Sequence, residues 1–356
     1  MISHPLVSVC VPTRNRAEAL RRCLEDIGRQ DYDALEILVS DNGSEDETPR
    51  VCEEAARRDP RIRCVRHPAN IGLYRNHNFC LEQSRGELLC FFHDHDERDP
   101  RIVREYVTFL AQHPEVGVVC ADWELIDEGG RRLGVRAYPV PAVMPGLAFI
   151  ERTIRSGRCA VATPGAMVRR VALSQTRFDP EGPIGFGDFP VWFRVAERWA
   201  VGHIPACLWR WRQTRTAQSA RTIESMAQDY HLNLSRYCDE HLSRFPQHQE
   251  LVARWKREIR RYLFWALAFE VGLYCRKDAE ASERPSEAKT LFEILQYRLS
   301  PEAFERTLEQ LETYRTGSAE QLTCGVIQML VRLKLTAPLA WATHHAQTFR
   351  QLLMLQ

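Results

Sequence analysis

The side chains with the most obvious chemistry lie in LLCFFHDHDERDP, Leu88 to Pro100. Apolar residues run straight into His93, Asp94, His95 and Asp96, with Glu97 and Asp99 behind. Carboxylates a few ångströms apart repel and resist joint ionisation. A divalent cation removes that penalty, and a hard ion such as Mg²⁺ takes one or two carboxylates beside substrate phosphates. An Asp-x-Asp at the end of a strand therefore suits metal–diphosphate chemistry. Acidic triplets also occur on solvated loops, so the surrounding elements have to decide.

Those elements alternate. LVSVCVPT is a Val-rich strand that stops at a Pro-Thr pair, and AEALRRCLEDIGRQ carries Ala17, Leu20, Leu24 and Ile27 at helical spacing. LEILVSD reads as a second strand ending in the turn DNGSED, and TPRVCEEAARRD as a helix with Pro near its start. RIRCVRH, YRNHNFCLEQS, GELLCFFHD, DPRIVREYVTFLAQHP and VGVVCADW continue the rhythm of strand, helix, strand, helix, strand. This order predicts an α/β fold with a mostly parallel, doubly wound sheet. Such sheets bind ligands beyond the carboxyl ends of their strands, where HDHD falls.

From Pro139 to Pro183 Gly and Pro are frequent, and the reading is loop, short helix and strand. GDFPVWFRVAERW reads as an amphipathic helix and AVGHIPACLWRW as a strand. From 222 onward the pattern is helical, in segments 222–244, 247–276, 286–298, 301–315 and 318–354, with KDAEASERPSE an exposed linker. The expected organisation is an α/β domain over 1–221 and an all-α extension over 222–356.

The chain has 356 residues, 44% hydrophobic and 27% charged, with a formal net charge of +1. That balance argues against nucleic acid as a partner, which normally demands a basic excess. The 12 cysteines form no CxxC pair and sit mostly in apolar runs, as reduced buried thiols do. MISHPLVSVCVPTRNR lacks the features of a signal peptide. The longest apolar stretch, Tyr262 to Cys275, is too short to span a bilayer and contains Glu270. The expected location is the cytoplasm, with peripheral contact at the inner membrane face open to the C-terminal helices.

Four segments taken together, VSVCVPTRNRAEALRRCLEDIGRQ, LEILVSDNGSEDET, NIGLYRNHN and GELLCFFHDHDERDP, resemble in order and spacing the family 2 glycosyltransferases of GT-A fold. The resemblance covers roughly residues 5 to 220 and implies a GT-A, Rossmann-like sheet with flanking helices. It also implies a nucleotide-diphosphate-sugar donor, Mn²⁺ or Mg²⁺ as cofactor, and inversion at the anomeric carbon. By position, Pro12, Thr13 and Arg14 would contact base and ribose, and Asp41 would accept a hydrogen bond from the base. Gly72 would allow close backbone approach to the donor, and Arg75 could reach a phosphate. Asp96 would ligate metal, Asp94 would bind ribose or metal, and His95 would shape the donor loop. His93 is read as a structural neighbour.

The transfer needs a proton acceptor near the acceptor hydroxyl. GFGDFPVWFRVAER resembles the segment in which an acidic pair opens a helix. Here one member is Gly187, which leaves Asp188 as the catalytic base, or as a helix cap. WRWRQTRTAQSA is similar to the family's closing segment, with Thr214 where a His is usual, so that Arg212 or Arg215 would hold the diphosphate. Trp192, Trp209 and Trp211 read as core packing before sugar stacking. Asp41 favours UDP or dTDP over GDP. The acceptor would be a carbohydrate, a lipid-linked glycan or a protein, as in surface polysaccharide synthesis. The C-terminal helices could also serve homo-oligomerisation. Two alternatives stand beside this reading: a catalytically decayed GT-A protein that acts as a binding partner, and a nucleotidyltransferase, which the lack of glycines in VPTRNRAEAL disfavours.

Overall fold

The computed structural model describes residues 4–174, 176–213, 223–275 and 314. The chain divides into two units, Met1–Glu151 with Cys159–Thr214, and Arg152–Arg158 with Arg215–Gln356.

The first unit is built on one sheet. Its elements run β1 (Val7–Thr13), α1 (Ala17–Gly28), β2 (Leu35–Asp41), α2 (Thr48–Arg58), β3 (Ile62–Arg66), α3 (Leu73–Gln83), β4 (Leu88–Phe91), β5 (Glu97–Arg98) and α4 (Ile102–Gln112). They continue through β6 (Val116–Ile126), β7 (Arg132–Arg136), β8 (Val143–Met144), α5 (Gly146–Ser156), a 3₁₀ turn at Thr163–Gly165, β9 (Ala166–Arg169), α6 (Arg170–Leu173), α7 (Phe189–Ala196) and β10 (Ala200–Arg212). The spatial order is β3-β2-β1-β4-β9-β6-β10-β5, with β7 on β6 and β8 on β10. Strands β3, β2, β1 and β4 are parallel, and so are β6 and β10. β9 lies antiparallel between β4 and β6. It comes from the Gly- and Pro-rich stretch where the βα rhythm lapses, so its return through the sheet centre carries no periodic signal.

Near-continuous apolar runs bury β2 and β4 throughout, as in parallel sheets covered on both faces. Every residue of β2 is buried, including Glu36 and Asp41. α1 presents Leu20, Cys23, Leu24 and Ile27 to the core, the i, i+3, i+4, i+7 stripe of a helix covering a sheet. α4 adds Ile102, Val103, Tyr106 and Leu110 to the same cluster. α7 departs from the amphipathic reading: Phe189, Pro190, Val191, Trp192, Phe193, Val195 and Ala196 are all buried, so only Arg194 reaches the surface. Trp209 is buried against Trp123, and Trp211 packs edge-on to the same ring, so these indoles are core.

In the second unit α8 (Ile223–Arg244) and α9 (Gln249–Cys275) form a hairpin through a 3₁₀ turn at Pro246–His248. Tyr230, Leu234, Tyr237 and Cys238 on α8 and Trp255, Ile259, Leu263 and Phe264 on α9 are buried. Among the described residues no helix is long and apolar enough to cross a membrane. Among the described residues the cysteines form no disulfide.

Candidate functional site

Strands β1 and β4 run side by side and parallel, so their carboxyl ends deliver Thr13 and the His93–Asp96 loop to one place. Thr13 Oγ1 donates to Asp94 Oδ2 at 2.7 Å. Arg16, from the loop after β1, donates to Asp94 Oδ1 at 3.0 Å and lies as close to His95 Nδ1. His95 Nδ1 is also 3.0 Å from Asp94 Oδ1, and its Nε2 is 3.8 Å from Asp96 Oδ1. Asp96 Oδ1 accepts the backbone N–H of Arg212 at 3.0 Å. Asp96 Oδ2 accepts no hydrogen bond, although its side chain is wholly buried; Arg98 Nη2 approaches it to 3.7 Å. Arg98 is itself held between the Phe92 and Trp209 rings.

Each carboxylate of the Asp-x-Asp thus has its own arginine. The pair is tolerated in the folded chain through Arg16 and Arg98, and a dication is not needed to hold it together. Burial pushes the Asp94 carboxyl up, but His95, Arg16 and Thr13 outweigh it and hold it below the usual range. Burial pushes His95 down, and the Asp96 and Asp94 carboxylates overcome it, so this imidazole titrates above its usual value. His77 is pushed down to about 4 by burial. His93 is also driven well down by burial and by neighbouring cationic groups.

The residues present fit a divalent ion. His93, His95 and Asp96 each offer a ligand atom, all within 4.8 Å of one another, and Asp96 brings a buried oxygen with no hydrogen-bond partner.

α3 ties this loop to its surroundings. Gly72, at φ 92° and ψ 159°, precedes it in a backbone region that is essentially glycine's alone. Asn42 fastens the Gly72 loop to the turn after β2: its Nδ2 donates to Asn70 Oδ1 at 2.9 Å, and its Oδ1 accepts Ile71 N–H at 2.8 Å. Beside it Asp41 is buried; its Oδ1 accepts Ser44 N–H at 3.0 Å, while Oδ2 accepts nothing and lies 3.6 Å from Arg66. Further along α3, His77 Nε2 lies 3.4 Å from His93 Nε2, and Tyr74 donates to the Ile184 carbonyl at 2.6 Å.

That carbonyl begins the approach to Asp188. A Cβ at Gly187 would strike the Tyr74 hydroxyl and come within 2.8 Å of the Pro183 carbonyl. Tyr74 fills the space a second acidic side chain would need. Asp188 stands at the start of α7 without capping it, and its Oδ2 accepts the Thr163 hydroxyl at 2.9 Å. Burial raises the Asp188 carboxyl above its ordinary range against the pull of that bond. Arg98 connects the two carboxylate sites, because its Nη2 also donates to the Pro164 carbonyl, next to Thr163.

Pro12 pairs with Ser40 across β1 and β2, and Arg14 is exposed. Arg75 is exposed on α3 and paired with Glu181. The Arg212 guanidinium is committed to Glu97 and to the carbonyls of His95, Asp127 and Glu128, so it braces the loop. Arg215 and Thr214 lie outside the described residues. Sequence reasoning missed Arg16, Arg98, Thr163 and Tyr74. Arg16 had a faint signal, as a second arginine in VPTRNR; the other three act through contacts made only by the fold.

Residues 8–176 match the model of glycosyl transferase family 2. That segment belongs to this family. A stretch of 94 residues is 38% identical to the GalNAc(5)-diNAcBac-PP-undecaprenol beta-1,3-glucosyltransferase of Campylobacter jejuni, covering 26% of this chain and 30% of that one. S. aureus TarS 1–349, solved with UDP-GlcNAc, superposes with a TM-score of 0.58 at 15% identity over 97% of this chain and 92% of that one. The mannosyltransferase PcManGT of Pyrobaculum calidifontis, solved with GDP-Man and Mn²⁺, gives 0.54 at 16% over 96% and 86%. The fold is GT-A. The chain spans about a third of the length of the first curated relatives it matches.

Proposed function

We propose that this chain transfers a sugar, with inversion, from a nucleoside diphosphate to an acceptor hydroxyl. The observation that carries the reading is Asp96. It is a buried carboxylate just beyond the carboxyl ends of the parallel β1–β4 pair, with one oxygen accepting no hydrogen bond, in a family 2 domain. Two relatives of the fold are solved with UDP-GlcNAc and with GDP-Man and Mn²⁺, which supports a nucleotide-sugar donor and a divalent ion.

Asp41 reads the base. Its Oδ1 is occupied by Ser44, so one oxygen is left for one N–H. Uracil and thymine offer a single ring N–H there, whereas guanine offers two parallel donors that need both oxygens. UDP or dTDP is therefore favoured over GDP. Asp94, fixed by Thr13 and Arg16, faces the ribose or orders the ion's surroundings. A bound ion would be held by Asp96 with its neighbours and would neutralise charge on the departing diphosphate.

Asp188 is the base. The acceptor hydroxyl attacks the anomeric carbon as its proton passes to Asp188, and the bond from that carbon to the diphosphate oxygen breaks on the opposite face. Its raised pKa suits a group that must hold a proton during the step. The domain over 1–221 carries this chemistry, and the segment from 222 onward serves acceptor, partner or membrane contact.

The test is nucleotide release from UDP-, dTDP- and GDP-sugars with Mn²⁺ or Mg²⁺. Asp188→Asn should lower turnover about 10²–10⁴-fold while sparing donor binding. Unchanged turnover would remove Asp188 from the role.

A further inference from the structure

We propose that the divalent ion is held by an imidazole pair, His93 and His95, together with Asp96, and that Asp94 orients His95 instead of ligating metal. This rests on the donor-site reading above and departs from the pairing of two carboxylates that the Asp-x-Asp pattern implies.

The hydrogen-bond chain fixes which nitrogens are available. His77 Nδ1 lies 2.9 Å from the Leu73 carbonyl, which can only accept, so that nitrogen carries the proton. His77 is buried, which disfavours a charged ring, and its Nε2 is left with a lone pair. His93 Nε2, 3.4 Å away, can only donate to it, and His93 Nδ1 is then a free donor of electrons to a metal. At His95, Nδ1 stands 3.0 Å from Asp94 Oδ1 and 3.0 Å from Arg16 Nη1; we take the carboxylate, which can only accept, as the partner of an Nδ1 proton. Arg16 finds its acceptor in the same carboxylate oxygen. That leaves His95 Nε2, the nitrogen nearer Asp96, as the second donor. Carboxylate–histidine–metal relays of this kind orient ligands and raise their basicity. Asp96 completes the set: its Oδ1 lies 3.8 Å from His95 Nε2, and its Oδ2 is buried without a hydrogen-bond partner.

Charge decides the kind of ion. Arg16 and Arg98 already offset Asp94 and Asp96, so a hard, strongly hydrated ion gains little bare electrostatic attraction. Two imidazoles favour first-row transition metals, with Co²⁺ and Zn²⁺ above Mn²⁺ and all above Mg²⁺. This assignment also supplies nitrogen ligation to a chain whose closing segment has Thr214 in the usual histidine place.

The experiment uses the full chain, stripped of metal and loaded with Mn²⁺, with and without UDP. Pulsed electron paramagnetic resonance reads imidazole ¹⁴N coupled to the ion, and Co²⁺ titration reads its ligand-field spectrum. Two nitrogen couplings should appear in the unsubstituted protein. His93→Gln and His95→Gln should each remove one and weaken Co²⁺ binding at least tenfold, whereas Asp94→Asn should retain nitrogen coupling with weaker binding. The measurement on the unsubstituted chain decides even if a variant fails to fold. Oxygen-only coordination, with UDP binding still metal-dependent, would overturn the imidazole assignment and leave the donor reading standing. No metal uptake and no UDP binding would overturn both.

Discussion

Asp188 stands where a carboxylate commonly caps a helix, yet it leaves the α7 N–H groups alone and takes a hydroxyl from Thr163. Folding raises its pKa, so the folded chain binds that proton more tightly than the unfolded one. Ionising it above the folded value costs stability, and that cost vanishes below the unfolded value of about 3.9. Asp188→Asn should therefore raise the melting temperature at pH 7 and lose the advantage in acid, while turnover collapses. The acid limb of kcat/KM should lie above the ordinary carboxylate range; a limb near pH 4 or below would contradict a raised base. Arg98 makes the converse case. Its side chain and that of Asp96 are almost fully buried together. Arg98→Met should cost roughly 3–5 kcal/mol in metal-free protein by stranding Asp96. Asp96→Asn in the same chain should recover most of it, as denaturant melts would show. The Asp-x-Asp was legible because residue type and strand end coincide in one short stretch. Its arginines were not, because the Arg16–Asp94 pair closes over 78 residues. The histidines were visible in HDHD, but the tautomer of His93 is set by His77 on another element.

α3 is the element that gathers the site. Its start is fixed by Gly72, its first turn places Tyr74 against the Asp188 loop, and its second places His77 against His93. Gly72→Ala should cost about 1–3 kcal/mol for backbone strain and weaken nucleotide binding with it. Gly187→Ala should cost about 1–3 kcal/mol through overpacking on Tyr74 and Pro183. In a double-mutant cycle Tyr74→Phe should relieve part of that cost, and strictly additive melts would show that Tyr74 does not fill the space. The strands of the first half were readable, since Val-rich runs alternating with helical stripes leave few topologies. β9 and β7 were harder. They are short, and β9 pairs with β4 and β6 from a stretch of mixed turn residues, so only the assembled sheet gives it a direction. α7 read as amphipathic because Arg194 and the charged residues after it mark a polar side, yet burial extends nearly all round it.

At the scale of the molecule, the chain does not divide cleanly in sequence. Residues Arg152–Arg158, which are the end of α5 with Gly157 and Arg158, belong with the helical unit. There Ile154 is buried and its carbonyl accepts a 3.5 Å bond from Tyr230, while Gly157 lies against Tyr262. A chain cut after residue 221 should therefore melt well below the full chain, and equal melting temperatures would show that α5 does not depend on the helices. The helical character of α8 and α9 was plain from the lack of alternation, while the expected helices 286–298, 301–315 and 318–354 lie outside the described residues but for residue 314. The return of α5 was not legible, because a short segment gives no sign of which core it joins. The net charge of +1 gives no global pull on an anionic donor, so recognition must reside in local groups. The most direct test is calorimetric titration of the full chain with UDP, in Mn²⁺ and in EDTA, repeated with Asp96→Asn. Binding should be at least tenfold tighter with the ion and should lose this enhancement in the variant. No binding under any metal, or binding indifferent to both the ion and Asp96, would contradict a metal-assisted donor site at this carboxylate.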